Sequence, residues 1–200
     1  MKSKTITNTY LLVAAAFLMM ALALPAAAQH VRMTFSGTAA NSSITNLLQP
    51  NSTNAEYNLT GTGALGAFTL RLVNAEPAPS PMPPDTCSGQ LKIYIPVDTG
   101  AGVFRFQDGS LLYVQLTPGG SDCINPAAGH ALCIRNLQIT GGTGRFKTAS
   151  GSLTLTETVV PVLFDISGPP PNPVFFAATG KITGTISGAT EEQDQDEGER

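Results

Sequence analysis

"ITGGTGRFKTASGSL", Ile139 to Leu153, decides the reading of this chain, because Gly141, Gly142 and Gly144 can either cradle a phosphate or reverse a strand. A Walker-type phosphate loop ends in Gly-Lys-Ser/Thr, and a dinucleotide loop needs its third glycine where this stretch has Lys147. The residues that follow, Ser150 to Thr156, alternate polar and apolar side chains as a strand does, so no helix N-terminus faces the glycines. Gly141, Gly142 and Gly144 are therefore read as a structural turn. They supply positive φ and room for a tight reversal, and Phe146 is expected to drop into the core beside them.

The same period of two runs through the flanking sequence. Val31, Met33 and Phe35 occupy every second place in "VRMTFSG", and the rhythm returns at Tyr57 and Leu59, at Phe68, Leu70 and Leu72, and at Leu91, Ile93, Ile95 and Val97. It recurs at Leu137 and Ile139, at Leu153 and Leu155, and at Ile182 and Ile186, with threonine filling many outward positions. In "VFRFQDGSLLYVQL", Asp108-Gly109 suits a two-residue type I′ turn, which would place Phe104, Phe106, Leu111 and Tyr113 on one face. That face is read as core, or else as ligand-lining through Phe104, Phe106 and Tyr113.

"GTGALG", Gly61 to Gly66, formally matches the dinucleotide fingerprint, but a strand-like run follows it and then prolines, so it too reads as a strand-turn-strand connection. Eight or more short strands with no sustained helical stripe predict an all-β domain: an antiparallel β-barrel of about eight strands, with a β-sandwich as the alternative. Closure is favoured because it removes exposed edges. The proline-rich stretches Asn74 to Gly89 and Ser167 to Pro173 are expected to be extended loops at a barrel mouth.

On these residues the chain resembles a known group. "ITGGTGRFKTASGSLTLT" looks like the Gly-Gly-Thr-Gly-x-Phe segment of allene oxide cyclase and dirigent barrels and of exported bacterial proteins with that barrel, and "ATGKITGTIS" is similar to their closing strand. The resemblance covers some 30 residues well. It implies a calycin-like antiparallel barrel with an interior cavity, used in the plant members for oxylipin cyclisation or for steering phenoxy radical coupling. Outside the glycine turn no functional residue of those proteins can be matched here, so no catalytic role is carried over.

The ends of the chain point to export. Lys2 and Lys4 precede an uncharged apolar run from Tyr10 to Leu24, then Pro25 and Ala26 to Ala28, which describes a signal peptide over residues 1–28. The alternative is a retained anchor, since Tyr10 to Ala28 could just span a bilayer. Residues 29–188 form the single domain, and the acidic run 189–200 is expected to be a disordered tail. Of the 11 basic and 14 acidic residues, Lys2, Lys4, Arg200 and six acids of the tail lie at the ends, which leaves eight of each in the body. A neutral body lacks the basic footprint that nucleic acid requires. The expected location is secreted or periplasmic, with no stable membrane span after cleavage.

Export makes a disulfide plausible, and Cys123 with Cys133 is the favoured pair, worth about 2.5 to 3 kcal/mol in the chain-entropy reading; a bridge involving Cys87 and no bridge at all are the alternatives. Cys123, His130 and Cys133 match no common zinc spacing, so no metal and no cofactor is expected. No catalytic residue is assigned: His130 sits in a Gly/Ala-rich loop, no nucleophile elbow is present, and Glu157 and Asp165 are read as solvated. The expected function is an exported binding or structural module, with a small apolar molecule in the barrel as ligand. A cyclase or dirigent-type enzyme shaping a hydrophobic substrate and an extracellular adhesion or matrix protein are the alternatives.

Overall fold

A computed structural model describes residues 28–42, 52–81, 83–87, 92–169 and 171–190. The signal-peptide and acidic-tail segments lie almost wholly outside these residues. Nine strands follow in chain order: β1 (Gln29–Ser42), β2 (Thr53–Gly63), β3 (Phe68–Glu76), β4 (Ile93–Val97), β5 (Gly100–Phe106), β6 (Leu111–Asn125), β7 (His130–Gly142), β8 (Ser150–Asp165) and β9 (Asn172–Ser187). Every pairing is antiparallel, in the order β6-β5-β3-β2-β1-β9-β8-β7, and β7 returns to β6. Eight strands thus close into a barrel, and the sandwich alternative falls because no open edge separates two sheets.

The ninth strand, β4, lies end to end with β5 along β6. β5 pairs with the first half of β6 and β4 with the second, from Val97 opposite Gly120 to Ile93 opposite Ile124. The break between them at Asp98 and Thr99 adjoins an irregularity in β6, whose register against β7 shifts between Thr117 and Ser121. Pro118 has no amide to give the ladder there, Gly119 takes φ +96, and Asp98 Oδ1 accepts the Gly119 N–H at 3.0 Å.

One end of the barrel is plugged by aromatic rings. Phe106 and Phe146 approach to 4.7 Å between centroids, and Phe68 lies 5.4 Å from Phe104. Phe146 is fully buried, as the sequence predicts, because the turn Gly144–Phe146 folds back over the barrel end. Gly144 has φ +56, and a Cβ on Gly142 would collide with the Leu111 carbonyl and with Phe146. Arg145 fastens this cap: its guanidinium stacks on Phe106 and Phe146, its Nη2 donates to the Leu65 carbonyl at 2.6 Å, and its Nε lies 3.0 Å from Asp108 Oδ2. "GTGALG" is a reversal between β2 and β3, as expected.

The hairpin register differs from the sequence expectation by one residue. The loop is Gln107–Ser110, and Arg105 pairs with Leu111, Phe104 with Leu112 and Val103 with Tyr113. Asp108 stabilises this longer loop by accepting the Ser110 N–H and hydroxyl, both at 2.9 Å. A one-residue slip exchanges the faces of a strand. Phe104 and Phe106 therefore face inward with Leu112 and Val114, whereas Tyr113 lies on the outer surface, 36% exposed.

The cysteine pairing also differs. Cys87 bonds to Cys123, and Cys133 is free and buried. Cys123 and Cys133 sit on β6 and β7 with Cys123 opposite Leu132 and Cys133 opposite Asp122, so alternation sends the Cys133 side chain inside with Asp122 and away from Cys123. Among the described residues no helix is long and apolar enough to cross a membrane.

Candidate functional site

The far end of the barrel differs in its chemistry. Extending the inward face of β7 from Ile139 and Leu137 by the strand period gives Arg135 and Cys133, and extending that of β8 from Leu153 and Leu155 gives Glu157. β6 adds Asp122 beyond its bulge, β2 adds Tyr57, and β3 adds Asn74 and, at the rim, half-buried Glu76. The ladders bring these together: Asp122 is opposite Cys133, and Cys133 is opposite Glu157. Ile95, opposite Asp122, and Ala131, opposite Val159, border the group with Phe176.

Arg135 is the anchor, with no exposed surface at all. A guanidinium keeps its charge in proteins, so its burial demands an anion and several acceptors. Nη1 lies 2.6 Å from Asp122 Oδ1 and also donates to the Ser121 and Ile134 carbonyls, while Nη2 donates to the Tyr57 hydroxyl at 2.6 Å. The Tyr57 ring packs against the same guanidinium, 5.4 Å from its centroid.

Around this satisfied pair stand polar groups that the fold leaves unmatched. Both carboxyl oxygens of Glu157, both amide atoms of Asn74 and Nε of Arg135 are buried without a hydrogen-bond partner. Each such atom costs on the order of 1–3 kcal/mol, which a purely structural core would avoid with apolar residues. Burial pushes the Glu157 carboxyl up to about 7, against the pull of Arg135. Burial, reinforced by Asp122, likewise raises Glu76 to about 7. Burial lifts the Tyr57 hydroxyl and the Cys133 thiol well above their ordinary ranges, so both stay protonated near neutrality and Cys133 is no activated nucleophile. Glu157 and Glu76 are the groups here that exchange protons near neutral pH.

Sequence reasoning placed no site at this end. The reading of Glu157 as solvated is corrected: its side chain has no exposed surface, because it continues the inward Leu153–Leu155 face. Asp165 is exposed near the tip of β8, where it caps the Ser167 amide. His130 begins β7 at the rim, with Nδ1 3.2 Å from the Ala128 carbonyl. Phe104 and Phe106 belong to the aromatic plug at the opposite end, and Gly141, Gly142 and Gly144 to the turn that caps it. Tyr113 borders a shallow open groove on the outside of β3, β5 and β6, with Arg71 and Arg105. Among the described residues no group of three or more His, Cys, Asp or Glu side chains is arranged to hold a metal ion. Comparison with protein-family models and with curated proteins finds no match to this chain.

Proposed function

We propose that this chain is an exported barrel that binds a small molecule at the end where Tyr57, Asn74, Glu76, Asp122, Arg135 and Glu157 converge. One observation carries the reading: among the described residues, five of the six buried side-chain polar atoms without a hydrogen-bond partner belong to Glu157, Asn74 and Arg135 at this end, and the sixth, Arg145 Nε at the plugged end, faces Asp108 Oδ2 at 3.0 Å. A ligand with complementary donors and acceptors, together with a modest apolar body, fits that combination. Leu59, Leu70, Leu72, Leu137 and Leu155 are packed across the middle, so the small molecule that the sequence reading puts in the barrel is placed here at its polar end rather than at its apolar centre. The disulfide between Cys87 and Cys123 supports an oxidising compartment, secreted or periplasmic.

A cyclase or dirigent-type enzyme is the second reading, in keeping with the resemblance of Ile139–Thr156 to that group. The observation that favours it is Glu157, an enclosed carboxyl poised near neutrality, able to give or take a proton from a bound substrate.

Native mass spectrometry of the protein recovered from its exporting host tests the proposal, alongside the Glu157→Leu variant. The expected result is a bound small molecule on the wild-type chain that is lost from the folded variant. Wild-type protein free of any adduct, or an adduct retained by the variant, contradicts it.

A further inference from the structure

The charges of the cluster do not balance, and the imbalance has a sign. Arg135 is the one guanidinium, and three carboxyl groups surround it: Asp122, Glu157 and, at the rim, Glu76. Asp122 uses the Arg135 charge at 2.6 Å, whereas Glu157 approaches only to 3.9 Å and accepts no hydrogen bond. Two carboxyl groups are thus left over, and either protons or the positive charge of a guest must neutralise them. The Glu157 side chain has zero exposure and both its oxygens are unmatched acceptors, so the guest that completes it is a donor.

We propose that the cluster takes an organic ammonium ion, its charged head seated against Glu157 and its apolar body resting on Ile95, Ala131 and Phe176 at the rim. This rests on the reading of the cluster as a ligand site and names the ligand's class. An ammonium offers three donors, enough to satisfy both unmatched Glu157 oxygens. A carboxylate guest would add a fourth acidic group to the set and could gain only Arg135 Nε and Asn74 Nδ2 as donors. A neutral alcohol would leave the surplus carboxyl groups to be neutralised by protons alone. The groups that face Glu157 and bear on this preference are Arg135, Asp122 and Glu76.

Three guests of equal length separate these cases: hexylammonium, hexanol and hexanoate, each titrated into the folded, disulfide-bonded chain and followed by its amide NMR signals at about pH 8, above both raised carboxyl values. Hexylammonium is expected to shift the amides of Tyr57, Cys133 and Glu157 and to bind at least about tenfold more tightly than either other guest. Glu157→Gln should weaken it about tenfold, and Glu76→Gln, at the half-buried rim where folding is less at stake, should weaken it less while leaving hexanol unaffected. Hexanol or hexanoate binding there as tightly as hexylammonium overturns the ammonium inference while leaving the binding site standing. Silence of those amides toward all three guests also overturns it, and the co-purification experiment then judges the site independently.

Discussion

Glu157 Oε1 lies 3.9 Å from Arg135 Nη2, near enough to sense its charge and too far to accept a hydrogen bond from it. Both side chains are sealed from solvent. The barrel therefore holds a carboxyl group that it neither solvates nor hydrogen-bonds, and the energetic signature of that arrangement is a dependence of stability on pH.

The sign follows from the two titrations. Unfolded, Glu157 titrates near its ordinary 4.5; folded, near 7. The folded state holds the extra proton between those values, so stability is greatest below the window, falls as pH rises through it, and levels off above. At 1.36 kcal/mol per pKa unit the loss is roughly 3 kcal/mol for Glu157, and Glu76 acts in the same direction. Urea unfolding should give a higher free energy at about pH 5 than at about pH 8, with the slope reduced in Glu157→Gln. Equal or greater stability at the higher pH would show that the carboxyl is solvated after all.

The hairpin register has a separate consequence. Phe104 is fully buried in the plug and Tyr113 stands on the outer face. Phe104→Ala should cost about 3–5 kcal/mol, as a large cavity in a packed core does, and Tyr113→Ala no more than about 0.5 kcal/mol. Denaturant melts of the two variants decide the matter, and comparable losses would favour the two-residue loop that places both rings on one face.

The link between Cys87 and Cys123 spans 36 residues, for which chain entropy gives roughly 4 kcal/mol of stabilisation. Thiol titration should find no reactive group in the native protein and one in the unfolded, unreduced protein, because Cys133 is buried. Peptide mapping should join the segments of Cys87 and Cys123; a peptide joining Cys123 to Cys133 would contradict the strand alternation of β7.

Most of the architecture is legible in the sequence, because period-two patterning acts locally along each strand. Val31, Met33 and Phe35 line the interior as that pattern predicts, and Phe146 follows its glycine turn into the core. The hairpin register was harder, since Asp-Gly permits both a two-residue turn and the longer loop stabilised by the Asp108 side chain. The site was hidden by an assumption about residue type. Alternation fixes which way a side chain points whatever its polarity, and two further steps from Leu137 and one from Leu155 reach Cys133 and Glu157, with Arg135 between. Following charged residues along the same face would have located the cluster. Only the closed barrel could bring Tyr57 and Asp122, 65 positions apart in sequence, to the same guanidinium.

The central claim is that Glu157 is kept for binding at the expense of the fold, and urea unfolding of Glu157→Leu beside the wild type at about pH 8 tests it most directly. Replacing an unmatched buried acid with an apolar side chain of similar volume should raise the unfolding free energy by about 1–4 kcal/mol, because Arg135 keeps Asp122 as its partner. A fall in stability of that size would mean that Glu157 holds the barrel together, and the account of this end as a ligand site would be contradicted.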